Sequence, residues 1–309
     1  MARIRHTGPV GSILTARKGK VGKFGDPYTF ANPASKVTTF PISRYASTTY
    51  NGTIFSSPAI SHDGLKLLWP TTMYGGSSNP GRIYQLNLAA PFTAPGFSFG
   101  SPVAFTGEMN MRGMAVNVAG TKAYAYGKGT SKFFQINMDV PFDLADIDGP
   151  FVSGTLSSSY AYTSLLVSED GKYLHGFDGG VIERFTFGSP WDVTTIGSKT
   201  LISLNTWWKN AGWGVMTGQF ANDGKTFLLV AVISSAVRFD QFTLATPYDI
   251  LGSKEYEGSL TIPTPSSYSS IFKGVSLSPN GKWLLAGIDD NYDDGFAILD
   301  VLPWWTPLA

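Results

Sequence analysis

The sequence predicts an all-β fold, a β-propeller of five blades that each contain four antiparallel strands. The first observation is a tight turn closed by glycine, which recurs at Gly64, Gly120, Gly171, Gly224 and Gly281 in steps of 56, 51, 53 and 57 residues. The second is a pair of proline and an aromatic residue downstream of each turn, beginning at Pro91, Pro141, Pro190, Pro247 and Pro303. A period of roughly 40 to 57 residues with several short strands per copy is typical of propeller blades.

The strands of each copy follow from its turns. An Asp-Gly pair between apolar runs, as at Asp170-Gly171, predicts a hairpin because glycine accepts the positive φ of a tight turn. In the last copy, the first three strands are predicted at 274–278, 282–287 and 295–301. Proline suits the end of the third strand, where no N–H is needed. The aromatic residue after the proline is expected to pack between blades.

Closure of the ring requires a strand from the N-terminal region. The last copy ends at Ala309 and leaves almost no room for a fourth strand, while a sixth pair of this kind, Pro27-Tyr28, precedes the first complete copy. Residues of about 35 to 42 are therefore predicted to form the outer strand of the last blade, because a free edge would otherwise stay unpaired. Six blades are the alternative if residues 10–50 form more than one strand. The predicted propeller domain is 27–309.

Composition excludes several classes of protein. The net charge is +1, so the chain as a whole has no electrostatic preference for nucleic acid or a membrane surface. Cysteine is absent, which excludes disulfides, thiolate metal sites and a cysteine nucleophile. No apolar run approaches the roughly 18 residues of a membrane span, and the N-terminus lacks the apolar core of a secretion signal. We expect synthesis in a cytoplasm, no membrane insertion, and exit, if any, inside an assembled particle.

Residues 1–26 form a basic arm. No acidic residue precedes Asp26, and the candidate partner-binding cations are Arg3, Arg5, Arg17, Lys18, Lys20 and Lys23. Such a segment is expected to be mobile when it stands alone. Three interpretations remain open: the arm folds over its own ring, it docks into a partner subunit, or it contacts nucleic acid, which is the least favoured of the three.

A tryptophan cluster lies between the third and fourth copies, at Trp207, Trp208 and Trp213 beside Lys209 and Asn210. Exposed tryptophans next to amides suit a sugar-binding platform, because the ring face stacks on the sugar and polar groups bind its hydroxyls. The favoured interpretation is that they plug one end of the ring. Glycan or receptor binding and subunit packing are the alternatives.

No set of residues indicates catalysis or a cofactor. Asp289, Asn291 and Asp293 have the spacing of a calcium loop, but Asp294 stands where that loop requires glycine, so a solvated hairpin is favoured over a calcium site. The histidines have no paired-ligand spacing, which argues against a metal site. The aspartates of the repeat are expected to be structural: Asp63, Asp170 and Asp223 in the turns, and Asp143, Asp192 and Asp249 after the aromatic residues. The protein is thus predicted not to be an enzyme.

The repeat also resembles a known kind of propeller. The segments SPNGKWLL and SEDGKYL, together with ERFTFGSPWDV and DQFTLATPYDI, are similar to WD40-like repeats of bacteriophage virion proteins, especially tail and tail-fibre-associated ones, and of some environmental bacterial proteins. The resemblance covers residues 56–309 and departs in the second copy, where Ala119 replaces the turn aspartate. It implies a structural or adhesive role and supplies no catalytic residues.

Three functions follow as hypotheses. The first is a structural component of a bacteriophage virion, made in the host cytoplasm and present in several copies, whose arm binds other virion proteins. The second is a carbohydrate- or receptor-binding module that uses the tryptophan cluster. The third is a propeller-fold hydrolase or a cellular scaffold.

Overall fold

The computed structural model describes residues 38–41, 52–53, 57–73, 81–100, 102–105, 108, 110–147, 152–155, 160–204, 216–221, 224–233, 236–263, 272–278, 283–288 and 295–300. These residues form strands β1 (Thr38–Pro41), β2 (Gly52–Thr53), β3 (Ala59–Ile60), β4 (Lys66–Met73), β5 (Gly81–Ala90), β6 (Thr93–Phe99), β7 (Val103–Phe105), β8 (Met111–Val116), β9 (Lys122–Gly127), β10 (Lys132–Asn137), β11 (Val152–Thr155), β12 (Ser164–Val167), β13 (Tyr173–Asp178), β14 (Val181–Phe187), β15 (Ile196–Ser203), β16 (Met216–Ala221), β17 (Thr226–Ile233), β18 (Ala236–Leu244), β19 (Lys254–Pro263), β20 (Phe272–Leu277), β21 (Trp283–Ile288) and β22 (Gly295–Asp300). A 3-10 turn, Val193–Thr195, precedes β15.

The fold is a β-propeller, which confirms the predicted fold class. Four sheets are antiparallel blades of four strands, in the orders β8-β9-β10-β11, β12-β13-β14-β15, β16-β17-β18-β19 and β20-β21-β22-β1. The first strands of neighbouring sheets contact one another, β8 with β12, β12 with β16 and β16 with β20, so these strands surround a common axis. Each blade therefore places its first strand at the centre of the ring.

The sheet of the first copy departs from the predicted four strands, because six strands contribute to it. Its inner strand is broken in two: β2 pairs with one end of β4, and β3 pairs with the other. Its outer strand is likewise broken, since β6 and β7 pair with different parts of β5. Pro102 lies between β6 and β7 and has no N–H to donate to the ladder. The six strands thus occupy the four positions of a blade.

The N-terminal strand closes the ring as predicted. β1 pairs antiparallel with β22, from Thr38 opposite Ile298 to Pro41 opposite Gly295. The sheet so completed packs against the first sheet, where Leu285 joins an apolar cluster with Ile60, Leu67, Trp69, Leu86 and Leu88. The Phe92 and Trp283 rings stack across the same junction, with centroids 5.5 Å apart. The first and last copies of the repeat are therefore neighbours.

The turn glycine and the aromatic residue form one structural unit. The turn glycines of the first four copies have φ between +70° and +80°, at Gly64, Gly120, Gly171 and Gly224; the fifth, Gly281, lies outside the described residues. The glycine carbonyl accepts a hydrogen bond from the aromatic residue's N–H, as from Trp191 to Gly171 at 3.0 Å. A Cβ on each of these glycines would overlap the aromatic ring, so a larger residue cannot replace glycine without displacement.

The aromatic residues also adopt a left-handed backbone conformation, which the sequence did not predict. Their φ values are +53° to +64°, at Phe92, Phe142, Trp191 and Tyr248. For a bulky residue this conformation costs roughly 1–2 kcal/mol. The hydrogen bond to the glycine and the packing of the ring offset that cost. Phe142 lies in an apolar cluster shared by the first two sheets, and Tyr124 and Lys122 of the second sheet donate to the Trp191 carbonyl. The expected packing between blades is thus confirmed.

A polar side chain five residues before the start of the second strand stabilises the turn in each of the first three copies. Ser61 Oγ donates to Asp63 and accepts from the Lys66 N–H at 2.9 Å, and Ser168 does the same with Asp170 and the Tyr173 N–H. In the second copy, Asn117 Oδ1 accepts from the N–H groups of residues 121 and 122 instead. The Asn117 amide oxygen therefore makes a hydrogen bond that the turn aspartate makes in the first and third copies, so the turn forms although Ala119 stands at the aspartate position.

A second set of polar residues joins the blades of the first four copies at their three junctions. Gln85 Oε1 accepts from the Leu144 N–H at 2.7 Å, and Gln135 Oε1 accepts from the Val193 N–H at 2.9 Å. Arg184, at the same position of the third copy, donates to Asp249 at 2.6 Å. The aspartates after the aromatic residues each accept from a backbone N–H two residues on, at 2.9–3.1 Å, namely Asp143, Asp192 and Asp249. These three are structural, as predicted.

Candidate functional site

A cavity opens on the propeller axis. Its volume is about 130 Å³, and residues of the inner strands β3, β8, β12, β16 and β20 line it. Most of the wall is apolar, formed by side chains such as Met114, Val116, Leu166 and Phe220. Inner strands that lie about 50 residues apart in sequence thus meet in one site, which no local pattern could have indicated.

The turns of the repeat form one end of this cavity. The residue between the recurring serine or asparagine and the turn dipeptide lines the cavity in the first three copies, at His62, Val118 and Glu169. His62 Nε2 lies 2.8 Å from the Val118 carbonyl of the next blade. Because a carbonyl only accepts, Nε2 is the protonated nitrogen and Nδ1 is an acceptor in the neutral ring. Tyr248 OH, from the fourth blade, donates to Glu169 Oε2 at 3.2 Å.

Other polar side chains at the cavity form hydrogen bonds with neighbouring residues of the chain. Ser164 Oγ donates to Thr217 Oγ1 at 2.8 Å, and Ser276 Oγ donates to the Pro58 carbonyl. Gln219 Nε2 donates to the Ser278 carbonyl at 3.3 Å. Among the residues that the structure describes, His62 and Glu169 are the lining residues with ionisable side chains, and Glu169 is the one carboxylate. The cavity therefore combines an apolar wall with a single carboxylate near its end.

The opposite end of the ring contains the longer connections. Glu108 accepts from the N–H groups of Asn110, Gly129 and Thr130, which joins an interblade connection to a hairpin of the second blade. The Leu204 N–H donates to the Gly180 carbonyl in the equivalent hairpin of the third blade. Leu204, the last described residue before the tryptophan cluster, thus lies at this end, away from the turn glycines.

His175 is a buried titratable group at the junction of the third and fourth blades. It is fully buried, lies across the ladder from Arg184, and has its ring centroid 5.5 Å from that of Phe220 on β16. Burial, reinforced by the Arg184 guanidinium, lowers the pKa of His175 to about 3; Asp170 and Asp249 oppose the shift more weakly. The imidazole is therefore neutral in the folded protein at every pH in the physiological range.

We expect this histidine to make the ring acid-sensitive. The unfolded chain binds a proton near pH 6.5 and the folded ring only near pH 3, so the free energy of unfolding falls as pH decreases through that window. Between pH 7 and pH 4 the loss amounts to roughly 3 kcal/mol. His175→Leu should flatten the dependence of Tm on pH over this window. An equally steep dependence in the variant would show that other groups govern the acid response.

The predicted site residues lie outside the described residues. This applies to the six cations of the arm, to Trp207, Trp208 and Trp213, and to Asp289, Asn291 and Asp293. Their proposed roles therefore stay predictions. Within the described part of the chain, no group of three or more His, Cys, Asp or Glu side chains is placed to hold a metal ion. The described residues also include no helix long and apolar enough to cross a bilayer.

One hydrolase-like pattern, G-x-S-x-G at Gly96–Gly100, was missed in the sequence. In hydrolases the serine of this pattern stands on a sharp turn between a strand and a helix. Here Ser98 is exposed and belongs to the extended outer strand β6, where it pairs with Asn87 of β5. The pattern therefore lacks the geometry of a nucleophile.

Comparison with known proteins finds similarity in structure and none in sequence families. No family model matches the sequence, and no curated protein sequence matches it. Among solved structures, a luciferin-regenerating enzyme is similar over 86% of this chain and 96% of its own, with 10% identity and a TM-score of 0.45. A chain of a nidogen/laminin complex is similar over 76% and 72%, with 12% identity and a TM-score of 0.44.

A periplasmic gluconolactonase of Pseudomonas aeruginosa is also similar, with 13% identity and a TM-score of 0.41 over 79% of this chain. The alignment spans 65% of the gluconolactonase, which is less than two thirds of its length. Enzymes thus occur among the similar structures. Similarity at this level concerns the propeller architecture and does not assign an activity to this chain.

Proposed function

We propose that the protein is a structural component of a bacteriophage virion, a rigid propeller that the basic arm attaches to other virion proteins. The observation that supports this proposal most is the use of the repeat's polar residues. Ser61, Asp63, Gln85, Asp143 and their equivalents stabilise turns and blade junctions. The repeat that resembles those of virion propellers thus serves to build a stiff ring. In this proposal the protein is not an enzyme.

The arm is the proposed attachment point. Its six cations contrast with a chain whose net charge is +1, so long-range attraction to a partner originates from this end. Exposed ion pairs contribute only about 0–1 kcal/mol each. Apolar residues of the arm, Ile4, Val10, Ile13 and Leu14, are therefore expected to contribute contacts as well.

Replacing Arg3, Arg5, Arg17 and Lys18 by serine tests this function. We expect less of the variant than of the unaltered protein in purified particles, quantified by mass spectrometry, because its attraction to the partner is weaker. The melting temperature of the isolated protein should not fall. The matched control variant replaces four lysines of the ring by serine, and we expect particles to incorporate it normally. These lysines are Lys128, Lys132, Lys172 and Lys225. If the unaltered protein is missing from particles, or if the arm variant is incorporated equally, the proposal is wrong.

A second candidate function is binding of a host-surface glycan or receptor by the tryptophan cluster. It is supported by the position of Leu204, the last described residue before the cluster, which bonds to Gly180 at the end of the ring opposite the repeated turns. Loss of glycan binding in Trp207→Ala and Trp208→Ala, with unchanged incorporation into particles, would support this role.

A further inference from the structure

The hairpin between β9 and β10 binds a carboxylate that another part of the chain supplies. The Glu108 side chain is buried, with the residue only 1% exposed, and each of its two oxygens accepts two hydrogen bonds. Oε1 accepts from the N–H groups of Asn110 at 2.8 Å and Gly129 at 3.1 Å. Oε2 accepts from the N–H of Thr130 at 2.9 Å and from its Oγ1 at 2.7 Å. All four donors are uncharged groups, and three of them belong to the hairpin.

The shape of the hairpin suits an anion. Gly129 and Thr130 are successive residues, and successive N–H groups that point to one place form a nest, a concavity that binds anions. A Cβ at Gly127 or Gly129 would overlap the Glu108 carboxylate, so the two glycines leave the space that it fills. Ser131 completes the loop with a left-handed φ of +55°. The loop thus provides both the donors and the room for a carboxylate.

A blade of this ring does not require such a nest. In the third blade, the equivalent hairpin has two residues between its strands, Gly179 and Gly180, instead of the four at 128–131. There the Gly180 carbonyl accepts from the N–H of Leu204, so that hairpin binds the end of its own blade as an acceptor and not as a donor. The longer loop and its donors are therefore a feature of the second blade beyond what the repeat demands.

The backbone of Glu108 is fixed to the first sheet. Its carbonyl accepts from the N–H of Gly81, the first residue of β5, and its N–H donates to the carbonyl of Phe105, the last residue of β7, at 3.1 Å. The first sheet therefore holds the backbone of this residue, whereas the second blade binds its side chain. Occupation of the nest thus connects two neighbouring sheets at the end of the ring opposite the repeated turns.

We propose that the hairpin at 127–131 is a carboxylate-binding site, that Glu108 is its intramolecular ligand, and that the occupied site fastens the first sheet to the second. Hydrogen bonds to an ionised acceptor are about twice as strong as those between neutral groups, which favours a carboxylate over an amide of the same shape. All four donors belong to other residues, so they remain when the Glu108 side chain is removed. A free carboxylate of the size of formate then fits the site. This site does not depend on the role of the protein in a particle.

Rescue of Glu108→Ala by formate tests the proposal on the full chain. The variant should melt at a lower temperature than the unaltered protein, because the buried donors lose their acceptor. Sodium formate at about 200 mM should raise the melting temperature of the variant by at least about 2 °C above that in equal sodium chloride, since a ligand that binds only the folded state stabilises it. The unaltered protein should not respond, because Glu108 occupies the site. Equal effects of formate on the two proteins, or no effect on the variant, would overturn the proposal.

Matched controls separate the site from general effects of the anion. Glu257→Ala removes a carboxylate of the outer strand β19 that accepts from Thr243, and its melting temperature should be the same in formate and in chloride. In a calorimetric titration of Glu108→Ala, formamide, which has the shape of formate without its charge, should bind at least about tenfold more weakly than formate. Comparable binding of the two probes would refute a carboxylate site.

A variant that does not fold in chloride also decides. If Glu108→Ala is unfolded in chloride, refolding in formate should restore the circular dichroism spectrum of the unaltered protein. A chain that stays unfolded in formate would show that the hairpin does not accept a free carboxylate, and the proposal would be wrong.

Discussion

Deletion of residues 1–45 is expected to lower the free energy of unfolding by roughly 2–5 kcal/mol, because the hydrogen bonds between β1 and β22 are lost. Each intramolecular hydrogen bond contributes about 0.5–1.5 kcal/mol net of the bonds to water that it replaces. The deletion removes all four residue pairs between β1 and β22. It leaves β22 as an open sheet edge, which promotes association between molecules. A lower melting temperature by calorimetry and a higher mass by light scattering are the expected readouts.

Two controls separate the strand from the arm. Deletion of residues 1–26 removes the basic arm and keeps β1, so its melting temperature should equal that of the full chain. A synthetic peptide of residues 35–45 should restore stability to the longer deletion, whereas a scrambled peptide should not. A longer deletion that melts like the full chain would mean that β1 contributes nothing to the closure of the ring.

Gly171→Ala is expected to destabilise the third blade by roughly 2–5 kcal/mol. The position has φ of +70°, where an L-residue with a Cβ costs about 1–2 kcal/mol. The new methyl group would also overlap the Trp191 indole, and overpacking of this kind costs about 1–3 kcal/mol. The indole has little freedom to move, because the Trp191 N–H bonds to Gly171 and its carbonyl accepts from Tyr124 at 2.9 Å.

Gly179→Ala is the matched control in the same blade. A Cβ at Gly179 would have no atom within 4 Å, and its φ lies outside the left-handed region. Denaturant unfolding should therefore place this variant within about 0.5 kcal/mol of the unaltered protein. If the two alanine variants unfold at the same denaturant concentration, the contact between the turn glycine and the aromatic ring does not contribute to stability.

Local chemistry explains why the strands and the closure were predictable. Glycine at a tight turn and proline at a strand end have few alternatives, so Gly171 and Pro190 mark the ends of strands without knowledge of the fold. The predicted strands 274–278, 282–287 and 295–301 agree with β20, β21 and β22 to within two residues. The broken strands of the first sheet were not predicted, because the breaks depend on which partner each segment pairs with.

The blade junctions and the buried histidine were not predictable in this way. Arg184 joins two blades as Gln85 and Gln135 do, although its side chain is longer and charged. His175 has no local feature that distinguishes it from a surface histidine. Its low pKa results from burial between two blades whose strands are distant in sequence.

The sequence by itself determined the repeat, the class of fold and the strand that closes the ring, because turns and strand ends depend on residues that are neighbours in the chain. Only the tertiary structure decided the left-handed conformation of Trp191 and its equivalents, the contacts between blades and the axial cavity with Glu169 at its end. Each of these depends on groups separated by about one repeat or more, whose distances are set when the sheets pack around the axis.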